Sequence, residues 1–349
     1  MASLSQVTSV TRRVLEYTGI GVAGILVVTL IFSIGGAIKQ AIAPTPPPPP
    51  TVAFGKLPSF TFPQSSIPSA QFTYNINTLT GTLPTLPDRA TIYKMQTPQP
   101  QLLSLDKANV EAQAAGFADK PTQLSDTSYK WTATDPLTMS LTMDTVSFDF
   151  DLTSSFLTDA NVVSAPFMPT EGMAVKKAQD FFSTVASLPD NIDSSKTKTT
   201  LLAISNNSLV PASSLSTSQI IRVDFFPKTV GTLQIYTPDP TKSLIYALVA
   251  SSTTTDPEIV AAQLIHKDIS GEKATYPIKT AQQALDDLKN GKGYIASYDS
   301  TNPQINITDV SLGYYEDSTP QNYLMPIIIF QGDHGFVAYV SALNGDWIK

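Results

Sequence analysis

Cysteine is absent from all 349 residues, which excludes disulfides, thiolate metal sites and a cysteine nucleophile. Histidine occurs twice, at His266 and His334, so any imidazole chemistry rests on those two positions. No G-x-S-x-G turn accompanies them, and the strained serine nucleophile of a Ser-His-Asp hydrolase is therefore missing. A phosphate-cradling glycine loop and a dinucleotide fingerprint are missing too. Charge is scarce: Asp, Glu, Lys and Arg make up 15% of the chain, against about 25% in ordinary soluble proteins. What charge there is leans negative. Outside residues 1–50, which hold Arg12, Arg13, Lys39 and Glu16, 19 bases face 28 acids, a formal charge of −9. Phosphate backbones repel such a surface, so nucleic acid is excluded as a partner.

One long apolar run is present. Residues 17–38 carry no charge, and about twenty such residues in a helix match a hydrocarbon core of about 30 Å. Arg12 and Arg13 precede the run and Lys39 alone follows it closely. That asymmetry predicts a cytoplasmic tail at 1–16, a transmembrane helix at 17–38 and everything later outside the membrane. A cleaved signal is the rival reading, because Ala41-Ile42-Ala43 fits an A-x-A site. The apolar segment is longer than a signal core of about 7 to 15 residues, and Pro44 would lie just past the cut, which favours an anchor. A pilin-type stem, suggested by Glu16, would run on as one helix, whereas prolines stop this one. Gly19, Ala23, Ser33 and Ala37 share one side of the span, and small residues there let a second transmembrane helix approach closely. Six of the seven residues at 44–50 are proline. In polyproline II they form a spacer of about 20 Å, so a stalk is expected at 39–53.

The rest reads as α+β, with helix-plus-antiparallel-meander units at 54–160, 161–270 and 271–349. Helices are expected at 105–115, stopped by Gly116; at 170–188, with Ala174, Ala178, Phe181, Val185 and Leu188 as its buried stripe; and at 281–290, opened by a Thr280/Gln283 capping box and closed by Gly291. Strands are expected at 71–79, 91–95, 129–133, 139–143, 146–152, 220–226, 232–236, 244–250, 258–267, 305–315, 323–331 and 336–343, with a tight turn at Asp144-Thr145.

Chemistry is thin. Ser104-x-x-Lys107 and Ser195-x-x-Lys198 fit the S-x-x-K acylation motif, but its K-T-G companion is absent. Asp149 and Asp151 share one side of a strand without the acidic loop that calcium requires. His334 reads as a turn residue beside Asp333, and His266 as a surface or satisfied core residue. Asn206-Asn207-Ser208 and Asn306-Ile307-Thr308 fit the glycosylation sequon. No catalytic residue, metal ligand or cofactor is expected. Tyr294, Tyr315 and Tyr323 crowd the last unit and are the candidate surface for a protein or sugar.

The segment 277–288, with Gly293-Tyr294-Ile295, Val310-Ser311-Leu312-Gly313-Tyr314-Tyr315 and Leu324-Met325-Pro326, resembles the YycH/YycI family. It departs from that family after Pro326, where members of the family tend to carry an aromatic and this chain has Ile327-Ile328-Ile329. The resemblance implies a single-span bacterial protein with an extracytoplasmic α+β region. It also implies a non-enzymatic role, tuning a cell-envelope sensor kinase partly through contacts between spans. The leading expectation is thus a membrane-anchored sensor, adaptor or regulator at the cell membrane. The alternative is a cell-envelope hydrolase using a carboxylate pair that only spatial separation would reveal.

Overall fold

The computed structural model describes residues 27–30, 48–59, 61–64, 68–133, 138–186, 188–253 and 256–349. The chain divides into two compact units, Met1–Pro49 and Pro50–Lys349. In the first, residues 27–30 are helical; the rest of the expected span, with Gly19, Ala23, Ser33 and Ala37, lies outside the described residues. Among the described residues no helix is long and apolar enough to cross a membrane.

The second unit is mixed α+β, mostly sheet with few helices. One sheet has nine strands. β3 (Thr122–Gln123), β4 (Ser128–Ala133), β5 (Met139–Asp144), β6 (Phe150–Ser154), β12 (Glu258–Leu264), β11 (Ile245–Ala250), β9 (Ile220–Asp224), β7 (Lys198–Ser205) and β8 (Ser208–Pro211) follow one another across it. The other has eight. Its path runs β1 (Thr73–Ile76), β15 (Gln304–Tyr315), β16 (Tyr323–Gly332), β17 (Val337–Ser341) and β14 (Tyr294–Ser297). β10 (Ile235–Tyr236) joins β15, while β2 (Arg89–Met95) pairs with both β13 (Ile269–Pro277) and β16. β1 and β10 lie parallel to β15. Strands from all three expected units therefore meet in the eight-stranded sheet, because pairing partners as distant as Tyr74 and Ile305 set its register.

Helices cover the sheets where the sequence carries apolar stripes. Helix Ser104–Ala114 offers Ala108 and Ala112, and helix Glu171–Val185 offers Ala174, Ala178, Phe182 and Val185, to the core of the nine-stranded sheet. Thr170 caps the latter by accepting from the Met173 N–H at 3.3 Å. Helix Ala281–Lys289 shows the expected capping box and buries Ala281, Ala284, Leu285 and Leu288 on the eight-stranded sheet. Gly116 and Gly291, at φ 94° and 79°, supply the left-handed stops.

β16 is buried from Leu324 to Phe330 because both its faces are covered. Ile328 and Phe330 point to the helix side and Ile327 and Ile329 to an aromatic layer. Pro326 interrupts this strand at little cost. The Tyr314 N–H turns away from it to the Gln234 carbonyl, so the missing donor of Pro326 faces Ala342, just past the end of β17. The Ala342 N–H donates to the Pro326 carbonyl at 3.1 Å, and the Ala342 carbonyl accepts from the Lys279 N–H at 2.8 Å instead.

Several strand expectations shift, and 258–267 and 71–79 shorten to Glu258–Leu264 and Thr73–Ile76. Val146 and Phe148 belong to a turn, in which Asp144 Oδ1 accepts from the Val146 and Ser147 N–H groups at 2.9 Å, and β6 starts only at Phe150. The strand expected at 232–236 shrinks to Ile235–Tyr236. β7 and β8 form an unanticipated hairpin whose tip, Asn206-Asn207, has φ 50° and 58°, the mirror-turn geometry that matches strand twist.

The end of the expected stalk and the Pro-rich lead-in that follows it, from residue 54, are bonded into the fold. The Val52 N–H donates to the Thr275 carbonyl at 3.0 Å, the Leu57 N–H to Trp347 at 2.8 Å, and the Lys349 N–H to Leu57 at 2.8 Å. The Phe54 N–H donates to the Tyr276 hydroxyl at 3.0 Å, and that hydroxyl donates to the Gly55 carbonyl at 2.9 Å. Leu57 is fully buried beside Ile92, Tyr276, Met325 and Leu343.

Candidate functional site

The chain crosses from β12 to β13, and so from one sheet to the other, through residues 265–268. This crossing carries His266 and Lys267 into a seam where ionisable groups gather. The Lys267 ammonium donates to the Asp317 carbonyl, to the Thr319 carbonyl at 2.5 Å and to Gln321 Oε1 at 3.0 Å, with an Asp317 carboxylate oxygen at 4.0 Å. The loop supplying those oxygens is set by its own side chains. Asp317 Oδ1 accepts from the Thr319 N–H at 2.8 Å and its hydroxyl at 2.6 Å, an Asx turn that points successive carbonyls at the lysine. On the other side of the crossing the His266 N–H donates to Asp149 Oδ1 at 2.9 Å, and His266 Nε2 lies 3.0 Å from Asp268 Oδ1.

Glu316 lies beneath this cluster, directly after β15, at 8% exposure. Its N–H donates to the Tyr236 carbonyl at 2.9 Å. Burial pushes its carboxyl up to about 7, the charges of Asp149 and Asp317 push the same way, and the Lys267 ammonium opposes them. Burial likewise raises the Asp149 carboxyl and lowers the Lys267 ammonium from their ordinary ranges. These directions agree: the seam disfavours charge of either sign and tolerates it through pairing.

A cavity of about 30 Å³ opens here, walled by Glu316, Lys267, His266 and Asn191 with apolar side chains such as Met95 and Leu324. It has room for one or two water molecules and falls far short of the roughly 300 Å³ at which small-molecule sites begin. Asn191 Oδ1 is buried with no hydrogen-bond partner among the described residues. The arrangement can hold and release a proton, and it can bind water. Among the described residues no group of three or more His, Asp or Glu side chains is placed to hold a metal ion.

The tyrosines expected to form a contact surface serve packing. Tyr315 is fully buried and offers no exposed face, because the strand that carries it is covered on both sides. Tyr294 is half-buried and stacks on Phe62 at 5.5 Å between ring centroids, and Tyr323 is half-buried with Phe54 at 5.2 Å. Phe62 and Phe54 therefore lie against residues the sequence puts forward for a partner.

The remaining candidates disperse. Ser104 Oγ accepts from the Gln101 N–H at 3.1 Å, while Lys107 pairs with Glu111 at 3.7 Å and sits 4.0 Å over the Phe148 ring. Ser195 donates to Asp193 at 2.6 Å, while Lys198 reaches the Thr241 carbonyl at 3.3 Å. His334 occupies a left-handed turn position at φ 52° next to Asp333. Asp151 is exposed on β6, away from the role Asp149 takes. Asn206 is at an exposed hairpin tip, whereas Asn306 is tied to Asp333 Oδ2 at 2.7 Å. Sequence reasoning passes over Glu316, Asp317 and Lys267; the available signal is a pair of acids placed immediately after an apolar strand.

No family model matches the chain, and no curated protein matches it. Among solved structures, an uncharacterized protein from Eubacterium rectale matches with a TM-score of 0.34 and 12% identity, over 74% of this chain and 84% of its own. A likeness at that score carries no argument about fold or function.

Proposed function

We propose that the chain is a single-pass protein of the bacterial cell membrane, with its N-terminus in the cytoplasm. Its outer α+β region binds a protein or envelope component and acts as sensor, adaptor or regulator, without chemistry of its own. The supporting observation is the stitching of the lead-in to the C-terminus: residues 52–57 are hydrogen-bonded between Thr275 and Trp347 and bury Leu57. A tether that ends inside the sheet passes displacement to the body, as a regulator requires and a passive leash does not. The YycH/YycI-like segments of the sequence support the same reading and name a sensor kinase as the partner class. Small residues at Gly19, Ala23, Ser33 and Ala37 would then meet the partner's span.

A carboxylate pair for hydrolysis has less support. Glu316 lines a cavity sized for water, and Asp149 Oδ1 is engaged by the His266 N–H instead of lining that cavity. Photo-crosslinking of the full-length protein in native membranes tests the proposal. The wild type is expected to capture a membrane protein that Gly19→Leu with Ala23→Leu loses. Recovery of the protein from the cytosol, or hydrolysis of purified cell wall by the wild type, would overturn the proposal.

A further inference from the structure

We propose that the seam between the two sheets is a proton-operated joint, closed while Glu316 carries its proton and loosened when its carboxylate forms. The groups facing Glu316 decide this. Lys267 and His266 come from the crossing at 265–268, Asp149 from the turn ahead of β6, and Asp317 from its own strand end; β2, β10, β11, β13 and β16 contribute the uncharged Met95, Ile235, Ile245, Ile269 and Leu324. Within this set Lys267 is the fixed cation, and its ammonium is already held by the carbonyls of Asp317 and Thr319. A carboxylate at Glu316 must therefore draw Lys267 off that loop or bring water into the cavity. The first response undoes the contact that ties residues 265–268 to residues 316–321, and the second wets the seam between the sheets.

The neutral carboxyl suits the seam better. It carries an O–H donor into a cavity whose wall holds an acceptor in need of one, Asn191 Oδ1. The joint also controls a neighbouring contact: Glu316 N–H to Tyr236 and Tyr314 N–H to Gln234, at 2.9 and 2.8 Å, fasten β10 of the eight-stranded sheet to β15. The chain on both sides of β10 leads to strands of the nine-stranded sheet, β9 and β11. Loosening at Glu316 thus reaches both sheets. As a regulatory device the joint rests on the sensor reading above; as a property of the fold it stands apart from it.

Hydrogen exchange of the full-length protein in detergent micelles, from pH 5.5 to 8.5 and corrected for the intrinsic rise in amide exchange, tests the joint. Protection of the His266, Tyr314 and Glu316 amides is expected to fall roughly tenfold per pH unit above the titration midpoint. Helix Ala281–Lys289 should keep its protection. Glu316→Gln should abolish the fall, Asp149→Asn should move its onset to lower pH, and Lys267→Gln should move it higher. Should Glu316→Gln fail to fold, the carboxyl carbon resonance of wild-type Glu316 gives the same answer. An ordinary glutamate titration, or identical exchange profiles for wild type and Glu316→Gln, would overturn the joint. Loss of crosslinked partners with the joint intact would instead count against the regulator.

Discussion

Replacing Leu57 by alanine probes whether the lead-in belongs to the folded body. Leu57 is fully buried and packs with Ile92, Ala274, Tyr276, Met325 and Leu343, while its backbone is hydrogen-bonded to both Trp347 and Lys349. Those two backbone bonds resist collapse of the site around a smaller side chain, so the variant retains most of the cavity. Leucine-to-alanine changes at such sites cost about 2 to 5 kcal/mol, and about 3 kcal/mol is expected here. At about 2 to 4 °C per kcal/mol for a large domain, the melting temperature should drop by about 6 to 12 °C. Calorimetry of residues 50–349, which form one compact unit, reads this directly. Leu79→Ala is the matched control, since Leu79 is fully exposed and its loss should leave stability within about 0.5 kcal/mol. A Leu57→Ala melt within 1 °C of wild type would refute the claim that the tether ends inside the core.

Glu316 should make stability depend on pH in the acidic-to-neutral range. Its folded-state carboxyl titrates near 7, above the ordinary 4.5, so its contribution is fully present below pH 4.5 and is lost as pH rises through 7. The difference between wild type and Glu316→Gln in urea unfolding should then shift by about 3 kcal/mol between pH 4.5 and 8; a difference independent of pH would contradict the assignment. Gly313→Ala should destabilise by about 1 to 3 kcal/mol, because the added carbon would lie 2.7 Å from the Tyr236 ring and 2.8 Å from Ile329. Gly345→Ala, which meets nothing within 4 Å, should be silent in the same melt. Thr280→Ala removes the bond accepted from the Gln283 N–H at 3.2 Å and should cost about 1 kcal/mol in thermal unfolding.

Local signals in the sequence were read where the chemistry is local. The capping box at Thr280 and Gln283 and the stripe Ala281, Ala284, Leu285, Leu288 locate one helix, since cap and apolar face lie within ten residues of each other. The long apolar run of β16 is equally plain. Parallel pairing of β1 and β10 with β15 joins segments tens to hundreds of residues apart, and no periodicity in either segment announces its partner. β13 carries Ser270, Gly271, Glu272 and Lys273 in its first half, which hides a strand behind polar residues at a register shift. The hairpin at Asn206-Asn207 did have a sequence signal, since asparagine tolerates left-handed backbone better than most residues. The seam had almost none. Lys267 and Glu316 are 49 residues apart and become neighbours only because the crossing at 265–268 and the end of β15 converge between the sheets. Tyrosine crowding near the C-terminus suggested a surface, but Tyr315 and Tyr294 pack in the layer covering β16.

Membrane placement is the central claim, and the absence of native cysteine makes its most direct test clean. Single cysteines introduced as Ser5→Cys and Leu79→Cys would be labelled in intact cells with a membrane-impermeant maleimide. The account predicts that Leu79→Cys reacts at once, that Ser5→Cys reacts only after lysis, and that both remain in the membrane fraction. Labelling of Ser5→Cys in intact cells, or either protein in the cytosol, would contradict it.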